Sequence, residues 1–255
     1  MSPRGLTAAQ WGDRLAGAVK VVKPAGRGPF PVTLQFHGCG GLVPLQDHYA
    51  QAAVKAGIAA VTVDSLAPRG LSRLDGHLFV CTGAMLRGAQ RAADVHAMLA
   101  WLETQPWADM NRIAAIGWSH CGWTLMDALA LGSATRKATG LTDADPKALA
   151  RLKGVFLIYP YASFPSLTSQ RGWRGARPPV GAIIGGRDTV VGTKAPLRAL
   201  ERLKADGVSV EAEVFAEATH SFDDNVAVDP RTRYRPDLSA KARERYVGFL
   251  KRVLA

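Results

Sequence analysis

Nowhere in this chain of 255 residues do eighteen apolar residues follow one another, so no stretch reads as a membrane span. The first residues, MSPRGLTAAQWGDRLAG, hold no unbroken apolar core of the kind a secretory leader needs. Unless an export signal has already been removed, that points to the cytoplasm. Cysteine is scarce and odd in number: three residues argue against the paired framework of a small secreted scaffold. The six histidines show no zinc-ligand spacing such as His-Glu-x-x-His, so neither metal nor cofactor is expected. Acidic residues are outnumbered, 21 against 32 basic, for a net charge of +11. The densest basic clusters are Arg171, Arg174 and Arg177, and Arg231, Arg233 and Arg235. Neither carries an interleaved aromatic platform or a nucleic-acid motif, which excludes nucleic acid as the expected partner. The charge reads as a solvated basic surface, with an anionic small-molecule substrate as the alternative. Internal repeats and low-complexity tracts are missing too, and nothing in the sequence indicates an oligomeric state.

What is present is ordinary globular material. At 47% hydrophobic and 21% charged, the chain can bury a sizeable core without metal or disulfide support. Short apolar runs recur at Ala18–Val22, Val32–Phe36, Ile58–Val63, Ile113–Ile116, Val155–Tyr159, Val180–Ile184 and Val208–Phe215. Most are nearly continuous, the pattern of strands covered on both faces. Between them lie helical spacings. Val95, Met98, Leu99 and Leu102 share a face within about 86–103, and Tyr246, Phe249, Leu250 and Val253 share one near the end. Leu197, Leu200 and Leu203 mark another helix, closed by Asp206-Gly207. Alternating strands and helices predict an α/β fold: a mostly parallel, doubly wound sheet with helices on both faces. The length suits one large domain over 1–255. Two segments break the rhythm, Ser133–Lys153 and Tyr161–Pro179. They are read either as a small cap or lid within 133–179 or as surface excursions.

In such a sheet ligands bind beyond the carboxyl ends of the strands, so the residues following each run carry the functional information. After Ile113–Ile116 comes Gly117-Trp118-Ser119-His120-Cys121-Gly122. A serine lifted above a sheet on a strand-to-helix turn needs small residues two before and two or three after it, where strand and helix approach. Gly117 and Gly122 supply that room, while Cys121 stands where the motif expects glycine. On the following helix Cys121 points roughly 200° away from Ser119, at about 100° per residue, so it reads as a small packing residue and not as the nucleophile.

After Val32–Phe36 comes His37-Gly38-Cys39-Gly40-Gly41. Backbone N–H groups of Cys39 and of His120 are the candidate oxyanion donors, and His37 reads as a brace for its loop. After Val180–Ile184, Gly185-Gly186-Arg187-Asp188 offers a carboxylate able to orient an imidazole. After Val208–Phe215, Thr219-His220-Ser221-Phe222-Asp223 offers that imidazole. The chain order Ser119, Asp188, His220 is the order of an α/β-hydrolase triad.

With these residues in view the chain resembles the dienelactone hydrolase-like family of α/β-hydrolases. FHGCGGL at 36–42, DSLAPRG at 64–70, QPWADMNRIAAIGWSHCG at 105–122, GGRD at 185–188 and THSFD at 219–223 carry the resemblance, in order, over nearly the whole chain. The resemblance implies a single α/β-hydrolase domain and cofactor-free hydrolysis of carboxylic esters or lactones. Its name-giving enzymes carry a cysteine nucleophile where this chain has Ser119, which favours a serine carboxylesterase over dienelactone chemistry itself. Cys121 for glycine is the second departure. Arg69, just past Ile58–Val63, becomes a candidate anchor for a substrate carboxylate, with a structural salt bridge as the alternative. Cys39 and Cys81 are possible disulfide partners, a pairing that sequence leaves open. The same triad would also serve an acyltransferase or a small peptidase, and a non-catalytic binding protein on this scaffold is the remaining alternative.

Overall fold

The computed structural model describes residues 3–81 and 83–255. Among these, seven strands form one sheet: β1 (Val19–Val22), β2 (Phe30–Phe36), β3 (Ala59–Val63), β4 (Ala108–Trp118), β5 (Leu152–Ile158), β6 (Val180–Gly185) and β7 (Val210–Phe215). The α-helices are α1 (Ala8–Ala16), α2 (Pro44–Lys55), the single turn α3 (Arg73–Asp75), α4 (Gly88–Glu103), α5 (His120–Ala130), the short α6 (Thr135–Thr139) and α7 (Thr168–Arg171), α8 (Lys194–Ala205) and α9 (Pro236–Val253). Across the sheet the order is β1-β3-β2-β4-β5-β6-β7. Every neighbouring pair is parallel except β1, which runs antiparallel to β3.

Each apolar run picked out in the sequence lies on one of these strands. β4 starts earlier than its run because residues 108–112 mix Ala108 and Met110 with Asp109, Asn111 and Arg112 and none is buried, so apolarity undercounts the strand. The period of two then sorts side chains between two cores. Ile113 and Ala115 face the layer of α1, α4, α5 and α8, where Leu15, Met98, Leu125 and Leu200 meet them. Ala114 and Ile116 face α2 and α9, against Tyr49, Tyr246 and Phe249. Helix α1 has no long apolar pattern; Thr7 starts it by accepting from the Gln10 N–H while the Gln10 side chain accepts from the Thr7 N–H. No helix among the described residues is long and apolar enough to cross a membrane.

The strand order reverses at β2. The chain leaves β2 for β3 on one side and returns to β4 on the other, so the loops after β2 and β4 diverge and open a crevice at the carboxyl edge. Ser119 and the glycine loop at 38–41 stand there. Residues 133–151 lie elsewhere: they precede the amino end of β5, whereas Ser119 follows the carboxyl end of its parallel neighbour β4. Of the stretch 133–179, Tyr159 and Tyr161 line the cavity beside Ser119.

His96 on α4 is buried, its Nε2 has no hydrogen-bond partner, and burial lowers its pKa to about 4 against an ordinary 6.5 despite the opposing pull of Asp145 and Asp143. Between those values the native state holds fewer protons than the unfolded chain, so this group's contribution to stability falls as pH drops through that window. In urea unfolding, the stability of wild type relative to His96→Leu should drop by about 2 kcal/mol on going from about pH 7.5 to about pH 5. A difference independent of pH would contradict the assignment.

Candidate active site

Strand β4 delivers Ser119 on a turn that an L-residue rarely adopts, φ 49° and ψ −111°. Its backbone is held from three directions. The Ser119 N–H donates to the Ile158 carbonyl at 3.0 Å, and its carbonyl accepts from the N–H of Trp123 at 3.2 Å and of Tyr161 at 3.1 Å. Two glycines allow the turn. A Cβ on Gly117 would lie 2.5 Å from the Cys121 carbonyl oxygen, and one on Gly122 would lie 2.4 Å from Cβ of Pro160. At position 121 a side chain fits, because Cys121 turns wholly into the core of the α4 and α5 layer. Burial pushes its thiol up to about 11, so it offers no thiolate near neutrality.

The loops after β6 and β7 bring two side chains to this serine. His220 Nε2 lies 2.9 Å from Ser119 Oγ, and His220 Nδ1 lies 2.7 Å from Asp188 Oδ2. With Nδ1–H donating to the carboxylate, Nε2 is left as the acceptor for the serine hydroxyl. The other oxygen of Asp188 accepts from the N–H groups of Val190 and Val191 at 2.9 and 3.0 Å, which fixes the carboxylate plane. All three groups are buried, yet Ser119 and His220 line a cavity of about 400 Å³.

The glycine loop approaches from β2. A Cβ on Gly38 would sit 3.7 Å from Cβ of Ser119, and both Cys39 and His120 line the cavity. His120 opens α5, so its N–H has no partner within the helix and lies at the positive end of the helix dipole. Its ring turns away, with Nε2 2.9 Å from the Leu86 carbonyl. Burial, reinforced by Arg91, lowers its pKa to about 3, which keeps the ring neutral. His37 is likewise a brace: Nδ1–H donates to the Gly38 carbonyl at 2.6 Å and Nε2 accepts from the Ser65 N–H at 3.0 Å.

The model of the dienelactone hydrolase family matches residues 18–254. The chain belongs to that family. It is an α/β-hydrolase, an enzyme acting on ester bonds. No curated protein matches it in sequence. Solved structures share the fold. Thermogutta terrifontis esterase 2 phosphorylated by paraoxon superposes with a TM-score of 0.67 at 18% identity, over 92% of this chain and 88% of that one. The propionate-bound form of that esterase gives 0.66 at 17%, over 92% and 89%. A dienelactone hydrolase-like promiscuous phosphotriesterase from metagenomic libraries gives 0.63 at 18%, over 94% and 100%.

In this family member Arg69 is not at the cavity beside Ser119, contrary to its reading as a substrate anchor. Its guanidinium is buried against Asp94, to which Nη1 and Nη2 donate at 2.9 and 2.7 Å, and it lies 5.0 Å from the Trp11 ring centroid. Trp11 Nε1–H donates to the same carboxylate, so Arg69 ties the turn after β3 to α4 and α1. The cations that do line the cavity are Arg73, whose Nε donates to the Gly40 carbonyl at 3.1 Å, and Arg231, paired with Asp229.

Sequence reasoning also passed over the cluster beneath His220. Asp223 is buried and accepts from Tyr159 Oη at 2.7 Å and Tyr49 Oη at 2.8 Å; burial raises its pKa. The Tyr159 ring packs on the His220 ring with centroids 4.6 Å apart. These bonds fasten the loop carrying His220 to the end of β5 and to α2. Tyr159 ends an apolar run, so a reading of strand ends could have reached it, but its bond to Asp223 is not written in any local pattern.

Cys39 and Cys81 form a disulfide, Cα to Cα 5.0 Å, across 42 positions of sequence, and Cys121 is a free buried cysteine. The bond fastens the glycine loop to the segment after α3. Cys81→Ser should lower the free energy of unfolding by roughly 2–4 kcal/mol in guanidinium titrations under non-reducing conditions. Dithiothreitol should bring wild type to the same value, and identical midpoints with and without reductant would contradict it.

Proposed function

We propose that this enzyme hydrolyses small carboxylic esters or lactones as one α/β-hydrolase domain, through an acyl-enzyme on Ser119. The observation that carries the reading is the unbroken chain Ser119 Oγ, His220, Asp188 at 2.9 and 2.7 Å, opening onto the cavity. His220 Nε2 takes the hydroxyl proton as Oγ attacks the carbonyl carbon, and Asp188 stabilises the imidazolium that forms. The N–H groups of Cys39 and His120 donate hydrogen bonds to the tetrahedral oxyanion. His220 then protonates the leaving alcohol, and water repeats the sequence on the acyl group.

The cavity sits at the small end of ligand sites, which favours short acyl groups. Arg73 and Arg231 on its wall stand beside Asp224 and Asp229, so a preference for substrates that carry a negative charge away from the scissile bond rests on the net charge of +11 and not on the lining. The Cys39–Cys81 disulfide fits an oxidising compartment better than the cytoplasm that the N-terminal residues suggested.

With p-nitrophenyl acetate, Ser119→Ala and His220→Ala should each lower kcat by roughly 10⁴–10⁶ while circular dichroism stays native. An esterase of this fold from Thermogutta terrifontis is phosphorylated by paraoxon; here paraoxon should add one diethylphosphoryl group in intact-mass spectra of wild type and none in Ser119→Ala. Equal turnover, or equal labelling, would end the assignment. A carboxylate-bearing p-nitrophenyl ester should show a KM several-fold below that of its neutral analogue at low salt, with the gap closing as ionic strength rises.

A further inference from the structure

Arg91 on α4 is fully buried, and among the described residues it forms no ion pair. Its two neighbouring carboxylates are engaged elsewhere. Asp94 is held bidentate by Arg69, and Asp64 accepts from the N–H groups of Leu66 and Ala67. Arg91 Nε has no hydrogen-bond partner at all. Burying a guanidinium on such terms is costly, and stability alone gives no reason for it. What the guanidinium faces is specific. Nη1 lies 3.5 Å from the Gly38 carbonyl oxygen and 3.5 Å from His120 Nδ1, and Nη2 lies 3.2 Å from each ring nitrogen of His37. These are long contacts to one carbonyl and two neutral imidazoles, so the buried charge and the planar fork matter more than any single bond.

The Gly38 carbonyl shares a peptide plane with the Cys39 N–H. In a trans peptide the two point in opposite directions. Among the described residues the cis bonds precede Pro29 and Pro165, so the Gly38–Cys39 bond is trans. A carbonyl drawn back toward His37 Nδ1–H and the Arg91 fork therefore sends the Cys39 N–H forward, to the side where Cys39 lines the cavity. The same fork holds the His120 ring through Nδ1, while Nε2–H is committed to Leu86. One buried cation thus stands behind both oxyanion donors. Asp94 and Asp64 act on it only from nearby, being bonded elsewhere, so an oxyanion held by the two N–H groups adds a charge interaction that the resting enzyme lacks, which is the differential binding catalysis needs.

We infer that Arg91 is a positioning residue: its guanidinium fixes the Gly38–Cys39 peptide and the His120 ring so that both backbone N–H groups aim at the oxyanion. The inference rests on the acyl-enzyme reading of Ser119. The test compares wild type, Arg91→Met and Arg91→Lys with p-nitrophenyl acetate, and titrates each with an alkyl trifluoromethyl ketone, which forms a tetrahedral oxyanion on the serine, and with the matching methyl ketone. Arg91→Met should lose roughly 10²-fold in kcat at nearly constant KM, comparable to the loss of one oxyanion donor. Trifluoromethyl ketone affinity should fall by a similar factor and methyl ketone affinity should stay. Arg91→Lys, which keeps the charge without the fork, should fall between. A kcat within about threefold of wild type in folded Arg91→Met overturns the inference. So does a parallel loss of both ketones with a raised KM, which would mark a collapsed pocket. If Arg91→Met does not reach the wild-type circular dichroism spectrum, Arg91→Lys decides by the same criteria; if neither folds, Arg91 is a structural residue and the inference fails. A wild type that neither turns over the ester nor forms the ketone adduct fails the hydrolase reading itself and takes this inference with it.

Discussion

One backbone position governs this enzyme. At φ 49° Ser119 is held in a conformation that costs on the order of 1–3 kcal/mol, and the structure around it is arranged to prevent relaxation. Strand β5 supplies an acceptor to its N–H, while α5 and the chain after β5 supply donors to its carbonyl. A relaxed turn would lower the hydroxyl into the sheet and swing the first N–H of α5 away from the cavity. The proposed nucleophile and one of the proposed oxyanion donors are therefore set by the same two dihedral angles. That is why residues 117 and 122 have no room for a side chain, whereas 121, which points into the helix layer, does.

A second layer keeps the walls of the cavity in place with buried polar groups that never meet the substrate. Asp223 holds Tyr159, on which the His220 ring rests. Asp127 plays the same part on the opposite wall. It accepts from Trp123 Nε1 at 2.6 Å and from the Leu167 N–H at 2.8 Å, and burial raises its pKa to about 7. Trp123 in turn packs between His120 and Tyr161 with tilted rings, its centroid 5.0 Å from each. The cavity thus lies between two aromatic surfaces, each fastened from behind by a carboxyl group. Arg91 and His37 give the glycine loop an equivalent backing from below.

The strands and the three converging side chains were legible because each is a local pattern: an apolar run followed by one distinctive residue. Ser119, Asp188 and His220 come together because all three stand at the carboxyl ends of strands that run parallel in one sheet, β4, β6 and β7, a consequence of strand direction that sequence order already contains. What was not legible depends on approach between segments far apart in the chain. Arg69 stands 25 positions from Asp94, and only the packing of α4 on the turn after β3 shows that this pair removes Arg69 from the cavity. Tyr49 and Asp223 are 174 positions apart. Arg91 sits in a helical stretch read only for its apolar face, and no spacing rule marks a buried cation there. The disulfide was open for a similar reason: pairing depends on how closely residues 39 and 81 approach in space.

The segregation of the molecule into two poles has a practical side. Ser119, Asp188 and His220 gather where the parallel strands end, while residues 140–147 and the short helix before them lie where those strands begin, beneath the full height of the sheet from the serine. A purification handle, a fluorescent reporter or a solid support attached at the exposed Lys147 side chain would leave the mouth of the cavity and its approach unobstructed. The enzyme can be held from one end while it works at the other.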